Sequence, residues 1–153
     1  MKLNTPRWWY VRDSSHARLT RTLLKPLGWA WAGVTARRIA RAAPVDPGCA
    51  VISVGNLTVG GSGKTPVARE ILRLLRAAGV EAQGLSRGYG GRLEGPVRVD
   101  PAAHTAADVG DEPLMLAQGA PVWIARDRIA GARAAVHGGA RTLVLDDGHQ
   151  NPA

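Results

Sequence analysis

The chain has 153 residues, enough for one domain with a buried core, and a composition of 45% hydrophobic and 21% charged residues excludes an intrinsically disordered protein. Its single cysteine, Cys49, excludes an intrachain disulfide and is compatible with a reducing compartment. The formal net charge of +8 lies in residues 1–45, because residues 46–153 carry equal numbers of basic and acidic side chains.

Residues 1–45 combine most of the tryptophans with a strong excess of basic side chains. Such a segment predicts an amphipathic helix at an anionic membrane surface, with tryptophan rings at the headgroup level. The apolar stretch at residues 23–36 is too short to span a bilayer and is interrupted by Lys25 and Pro26. The alternatives are a helix packed on its own domain and a basic segment that binds nucleic acid. The tryptophans of this segment are Trp8, Trp9, Trp29 and Trp31.

Residues 46–153 form the predicted core. A linker at residues 42–48 leads into it, and strand and helix patterns then alternate along the chain. We expect strands at residues 49–54, 81–86, 96–99, 121–125 and 141–145, and helices at residues 67–78, 107–118 and 127–137. This alternation predicts an α/β fold with a parallel sheet flanked by helices. The glycine-rich sequence at residues 60–65 makes the predicted fold similar to that of P-loop nucleotide-binding proteins. Ligands of such sheets bind at the carboxyl ends of the strands. We also expect the sheet to be incomplete, and the sequence to be the N-terminal part of a longer protein.

The strongest motif is a glycine-rich loop between the first strand and the first helix of the core, which matches a phosphate-binding loop. Backbone N–H groups of the loop surround the phosphates of a nucleoside triphosphate, Lys64 reaches the β- and γ-phosphates, and the Thr65 hydroxyl ligates Mg²⁺. Thr58 stands where the general pattern has its first glycine. The alternative is a glycine-rich turn without a ligand. The predicted nucleotide-binding residues are Thr58, Val59, Gly60, Gly61, Ser62, Gly63, Lys64 and Thr65.

Two acidic motifs supply carboxylates that phosphoryl transfer needs. An apolar strand runs into Asp146 and Asp147, and P-loop enzymes place a carboxylate near Mg²⁺ in this way. We expect one of these acids to bind Mg²⁺ together with Thr65, and the other to contact the substrate or make a positioning hydrogen bond. Asp111, in a Gly-Asp-Glu-Pro sequence, is a candidate acceptor of the proton from an attacking hydroxyl. The alternatives are a simple turn after the acidic pair and helix capping by Asp111, which would start the helix there rather than at residue 107.

A third group of candidates is basic or aromatic. Arg87 and Tyr89 lie on a glycine-rich loop after the second strand, a placement that suits contact with a sugar or a phosphate. Arg128 lies at the start of the last predicted helix, also after a strand. The alternatives are a loop with exposed polar side chains and a solvated helix face.

These motifs, in this order, resemble the tetraacyldisaccharide 4′-kinase family, which acts in lipid A biosynthesis. The matching stretches are residues 54–66, 86–90, 110–113 and 146–150. Thr58 fits this family's version of the phosphate loop, and the basic, Trp-rich start is similar to the family's membrane-associating helix. The resemblance implies transfer of the ATP γ-phosphate to the 4′-hydroxyl of a tetraacylated glucosamine disaccharide 1-phosphate, at the cytoplasmic face of the inner membrane.

The resemblance also implies roles for single residues. Asp111 takes the position of the catalytic base, Lys64 and Asp146 assist catalysis, and ATP and Mg²⁺ are required. The family has Gly-Phe-Gln-His after the acidic pair, whereas this chain has Gly-His-Gln-Asn at residues 148–151. The implied substrate-contacting residues are Arg87, Tyr89, Arg128, Asp147 and Gln150.

The implied partners are the lipid disaccharide and the inner-membrane surface, with neither a nucleic acid nor a stable protein partner. Family members are longer than this chain and have a second lobe, so the chain is expected to contain the N-terminal part of a kinase. Two alternatives belong to other classes. One is a P-loop ATPase or GTPase switch, for which the sequence has no guanine-specificity motif, and the other is a basic nucleic-acid binder.

Overall fold

The structure is a computed structural model that describes residues 15–41, 45–55 and 63–146. It divides into two compact units, Met1–Ala42 and Ala43–Ala153. The first unit contains helix α1, Ser15–Arg41, which continues through Pro26 although proline has no N–H to donate within the helix. In the turn before the proline, the Thr22 hydroxyl donates a hydrogen bond to the Arg18 carbonyl at 2.9 Å.

Helix α1 exposes large apolar side chains between Leu19 and Val34. The predicted amphipathic pattern does not extend along the whole helix. Arg37 and Arg41 share the face of Leu19 and Leu23, because eighteen residues make about five turns. Among the helices that the structure describes, none is long and apolar enough to cross a bilayer. The exposed apolar residues of α1 are Leu19, Leu23, Leu24, Leu27, Trp29, Trp31 and Val34.

The second unit contains a five-stranded sheet with helices packed on it. Its strands are β1 (Ala50–Val54), β2 (Ala82–Ser86), β3 (Val97–Arg98), β4 (Val122–Ile124) and β5 (Thr142–Asp146). Its helices are α2 (Lys64–Ala77), α3 (Ala106–Val109), α4 (Asp111–Ala117) and α5 (Arg128–His137). The strand order is β1-β5-β2-β4-β3, and all neighbours are parallel except β3, which pairs antiparallel with β4.

The predicted α/β fold is confirmed, and two of its elements differ from the prediction. The helix expected at residues 107–118 is two helices, α3 and α4. Gly110 separates them because its backbone, with φ 92° and ψ 155°, lies outside the helical region in a conformation that favours glycine. The predicted edge strand is shorter than expected and antiparallel, an arrangement common at the edge of an otherwise parallel sheet.

Helices cover both faces of the sheet, as neighbouring residues of β2 show. Gly84 faces α2, where an added β-carbon would lie 3.4 Å from Leu72 Cδ1. Leu85 points to the opposite face, where a β-carbon added at Gly131 of α5 would lie 2.8 Å from Leu85 Cδ1. The missing side chains at these two glycines therefore let α2 and α5 approach the sheet closely.

The parallel strands end at one edge of the sheet. Val54 of β1 is level with Asp146 of β5, and Ser86 of β2 is level with Ile124 of β4. Because β5 lies between β1 and β2, the segments that follow these four strands all start at this edge. This is the edge at which ligands bind in parallel α/β sheets.

The packing of α2 on the sheet predicts the effect of shortening Leu72, which is 2% exposed. We expect Leu72→Ala to lower the free energy of unfolding by about 2–5 kcal/mol, because it removes buried methyl groups and leaves a cavity. Leu74→Ala on the same helix is the control, because Leu74 is 53% exposed and its truncation is expected to cost less than about 0.5 kcal/mol. Urea unfolding followed by circular dichroism measures both, and equal losses would contradict this packing.

Candidate active site

The start of α2 forms one side of the candidate site. Gly63 precedes the helix with φ 74° and ψ 26°, a left-handed conformation that glycine adopts without strain. Lys64 is half-buried, whereas Thr65 is buried at 7% exposure. The N-terminal end of a helix carries partial positive charge, so this end of α2 attracts anions such as phosphate.

A direct contact joins α2 to the end of β5. The Thr65 hydroxyl donates a hydrogen bond to Asp146 Oδ2 at 3.3 Å, and Asp146 is only 3% exposed. Arg128, which begins α5, is 9% exposed, and its Nη2 lies 3.5 Å from the Asp146 backbone carbonyl. A hydroxyl and a carboxylate side by side are hard oxygen ligands of the kind that Mg²⁺ prefers. Thr65 and Asp146, one of the two acids predicted as a metal ligand, therefore lie together.

The loop after β2, residues 87–95, carries two further candidates. Arg87 is exposed, and Tyr89 is 89% exposed. The backbone of this loop lies directly against Gly110, where an added β-carbon would come 2.5 Å from the Tyr89 carbonyl oxygen. The structure therefore brings the Tyr89 backbone next to the residue that precedes Asp111.

Asp111 is the first residue of α4 and is exposed. Gly110, and not Asp111, occupies the N-cap position of this helix. The alternative interpretation is therefore right that a helix starts at Asp111 and wrong that Asp111 is its cap. The Asp111 carboxylate lies in the first turn, where the helix dipole favours a negative charge.

The neighbouring helix α3 is capped by its own sequence. Asp108 Oδ2 accepts hydrogen bonds from the Thr105 N–H at 2.8 Å and from the Thr105 hydroxyl at 2.7 Å. Asp108 Oδ1 accepts a hydrogen bond from Arg92 Nε at 2.6 Å, which ties the loop after β2 to α3. The Thr105 hydroxyl, the Thr105 N–H and the Arg92 guanidinium together lower the pKa of Asp108 to about 2.

Several predicted site residues lie outside the described residues. Among the residues that the structure does describe, no group of three or more His, Cys, Asp or Glu side chains is arranged to hold a metal ion. The pair of Thr65 and Asp146 is compatible with a magnesium ion that takes its other ligands from water and phosphate. The residues outside the described ranges are Thr58, Val59, Gly60, Gly61, Ser62, Asp147 and Gln150.

Comparison with known proteins decides the family. The sequence profile described as "LpxK: Tetraacyldisaccharide-1-P 4'-kinase" matches residues 20–153. The chain belongs to this 4′-kinase family. The tetraacyldisaccharide 4′-kinases of Caulobacter vibrioides and Phenylobacterium zucineum are 65% and 67% identical to it over 153 residues. These matches cover 100% of this chain and 46% and 45% of the two relatives, so the chain spans about half of their length.

A solved structure of the family has the same fold. The crystal structure of LpxK from Aquifex aeolicus in complex with ATP matches this chain with a TM-score of 0.70 and 29% sequence identity. The match covers 86% of this chain and 45% of the Aquifex protein. The resemblance to the 4′-kinase family stated from four motifs is therefore confirmed.

The contacts among Arg92, Thr105 and Asp108 of this 4′-kinase family member were not predicted from its sequence. A usable signal was present, because Thr105 is followed three residues later by Asp108, the spacing of a capping box. The contact with Arg92, sixteen residues away, has no local signal. The helix predicted at residues 107–118 places Asp108 simply near its start.

The lowered pKa of Asp108 predicts how stability depends on pH. The folded pKa of about 2 lies below the ordinary 3.8, so the stabilisation from the ionised carboxylate is complete above about pH 4 and is lost as the pH falls toward about 2. We expect Asp108→Asn to lower the melting temperature at neutral pH, and the difference from the unchanged chain to shrink across that acidic range.

Thermal unfolding followed by circular dichroism at a series of pH values measures this convergence. The matched control is Glu70→Gln, which removes a carboxylate from the exposed Glu70–Arg73 ion pair and is expected to change the melting temperature little. A melting-temperature difference for Asp108→Asn that stays constant between neutral pH and about pH 2 would contradict the prediction.

Proposed function

We propose that this chain provides the nucleotide-binding and acceptor-orienting part of a kinase. The kinase would transfer the γ-phosphate of ATP to the 4′-hydroxyl of a tetraacyldisaccharide 1-phosphate. The observation that carries the proposal is the hydrogen bond from Thr65 to Asp146 at the start of α2, in a chain of this family. It combines a buried hydroxyl–carboxylate pair with a helix terminus that attracts phosphate.

The nucleotide side of the reaction is assigned to the phosphate loop and the residues behind it. Backbone N–H groups of residues 58–63 would surround the phosphates, and Lys64 would contact the β- and γ-phosphates. Thr65 and Asp146 would hold Mg²⁺, which, when bound, neutralises charge on the phosphates. Arg128 adds a buried positive charge beside the Asp146 carbonyl. This charge favours anionic groups at the end of β5.

The acceptor side is assigned to the loop after β2 and to the start of α4. Asp111 would orient the 4′-hydroxyl and take its proton as the bond to phosphorus forms. Arg87 and Tyr89, both exposed, would contact the sugar or its phosphate, because their loop lies against the residue before Asp111. Asp147, Gln150 and Arg128 complete the proposed set of substrate contacts.

The proposed reaction predicts that Asp111 is needed for the chemical step. The test uses a chimeric kinase in which residues 1–153 replace the matching part of the Caulobacter vibrioides relative, which is 65% identical over this range. We expect Asp111→Asn to lower kcat by about 10²- to 10⁴-fold, because a carboxamide cannot take the proton. The neighbouring Glu112→Gln is the control, since both acids lie in the first turn of α4.

The measurement is transfer of radioactive phosphate from ATP to the lipid disaccharide, with binding of Mg-ATP to the 153-residue chain measured in parallel by calorimetry. Equal kcat values for Asp111→Asn and the unchanged chimera would remove Asp111 from the proposal. ATP hydrolysis without transfer to the disaccharide would instead favour a P-loop ATPase.

We also propose that residues 1–45 attach the enzyme to the membrane surface, while residues 46–153 form its catalytic core. Exposed leucines of α1 would enter the acyl boundary, and its tryptophans would lie at the headgroup level. The basic excess of this segment favours anionic lipids. The cytoplasmic face of the inner membrane is the proposed location, because ATP and the proposed lipid acceptor meet there.

This proposal predicts binding to vesicles that contain anionic phospholipid. We expect simultaneous Leu27→Ala and Trp31→Ala substitution to weaken sedimentation with such vesicles by about tenfold, because both side chains are exposed and, four residues apart, lie on one face of α1. Leu74→Ala, which removes an exposed apolar side chain from the core unit, is the control and is expected to have no effect. Tighter binding to duplex DNA than to the vesicles would contradict the proposal and favour a nucleic-acid binder.

A further inference from the structure

The loop after β2 and the segment around α3 are joined by both side-chain and backbone contacts. The Arg92 N–H donates to the Ala107 carbonyl at 3.0 Å, and the Leu93 N–H donates to the Asp108 carbonyl at 2.9 Å. Gly91 is packed so closely that an added β-carbon would lie 2.6 Å from the Asp108 carbonyl oxygen. Two segments that are separate in sequence therefore form one continuous piece of backbone packing.

Asp108 is at the centre of this junction. Its carboxylate accepts three hydrogen bonds, two from Thr105 and one from Arg92, and its side chain is 11% exposed. Arg92 is 76% exposed, so the buried partner of this ion pair is the aspartate. We call Arg92, Thr105 and Asp108 the Asp108 anchor.

The two segments held by the anchor carry the acceptor side of the proposed site. Tyr89 lies three residues before Arg92 on one segment, and Asp111 lies three residues after Asp108 on the other. Between them, an added β-carbon at Gly110 would lie 2.5 Å from the Tyr89 carbonyl oxygen. A shift of the anchor would therefore change the position of Asp111 relative to Tyr89.

We propose that Asp108 is a positioning residue, which holds the Arg87–Tyr89 loop and Asp111 in fixed register for the acceptor. The inference rests on the proposed function, because the task that it assigns to Asp108 is to help orient the 4′-hydroxyl of the proposed acceptor. Small misplacements of reacting groups slow an enzyme by large factors, so a residue that never touches the substrate still controls its rate.

The other end of the same loop offers an internal comparison. Glu94 and Arg126 form an ion pair of the same length, 2.6 Å, but their side chains are 69% and 53% exposed. Exposed pairs contribute little, because water and salt screen them. Glu94→Gln therefore removes a loop ion pair of equal length without disturbing the hydrogen bonds between Asp108 and Thr105.

The first test measures kinetics in the chimeric kinase described above. We expect Asp108→Asn and Arg92→Met each to lower kcat about tenfold and to raise the KM for the disaccharide, while the KM for ATP stays unchanged. The double variant should be no worse than either single one, because both break the same contact. A loss of folded protein alone would lower kcat and leave both KM values as they were.

The matched control, Glu94→Gln, is expected to leave kcat, the KM for the disaccharide and the KM for ATP unchanged. Equal behaviour of Asp108→Asn and Glu94→Gln, or a rise in the KM for ATP, would overturn the inference. Absence of disaccharide phosphorylation by the unchanged chimera would instead reject the proposed function, so the two failures are distinguishable.

The second test needs no activity and uses the 153-residue chain itself. We expect Asp108→Asn to speed hydrogen exchange at the amides of Arg92, Leu93 and Gly110 by about tenfold, because they bond within the junction. Gly110→Ala should do the same by pushing on the Tyr89 carbonyl. Gly79→Ala is its control, since Gly79 also has a positive φ, 78°, but open space around its β-carbon position. Unchanged exchange at these amides in both Asp108→Asn and Gly110→Ala would overturn the inference.

Discussion

The hydrogen bond between the Thr65 hydroxyl and the Asp146 carboxylate joins residues that lie 81 positions apart in the chain. It forms because β5 pairs with β1, the strand that precedes α2 in the chain, which sets Val54 at the end of β1 level with Asp146. The proposed phosphate and metal sites depend on this adjacency. The proposed acceptor side depends on β5 as well. Strand β2 is the other neighbour of β5, and the loop after β2 starts at the same edge of the sheet.

Features that depend on local sequence could be predicted from the sequence. Alternation of apolar strands and amphipathic helices specified the α/β fold, and each predicted core strand lies within two residues of an observed one. Lys64, Thr65 and Asp146 could be chosen as candidates because a glycine-rich loop and an apolar strand ending in acid are local patterns. Their proposed chemistry follows from position at a strand or helix end, which the pattern itself specifies.

Features that depend on tertiary contacts could not be predicted in this way. Periodicity does not reveal that β5 lies between β1 and β2, and yet this order creates the contact between Thr65 and Asp146. The sequence permits both one helix over residues 107–118 and a helix that starts at Asp111, because a single glycine is tolerated in many helices whereas Pro113 is tolerated only in a first turn. The backbone of the loop after β2 approaches Gly110 so closely that any side chain there would collide with it. Tertiary packing therefore acts together with the local signals of Gly110 and Pro113 to set this turn.

The candidate site residues divide by burial, and the division suits two physical tasks. Thr65 and Asp146 are buried, so packing fixes their positions before any ligand arrives, and fixed dipoles stabilise charge without reorganisation. Arg87 and Asp111 are exposed. In the proposed reaction they would stay hydrated until an acceptor displaces the water, after which their electrostatic interactions would become stronger. Exposure alone would leave such groups poorly placed. Groups that bind an acceptor must be both exposed and fixed in position. The buried carboxylate of Asp108 meets both requirements, because it holds the backbone segments that carry Arg87 and Asp111 and leaves their side chains open to the acceptor.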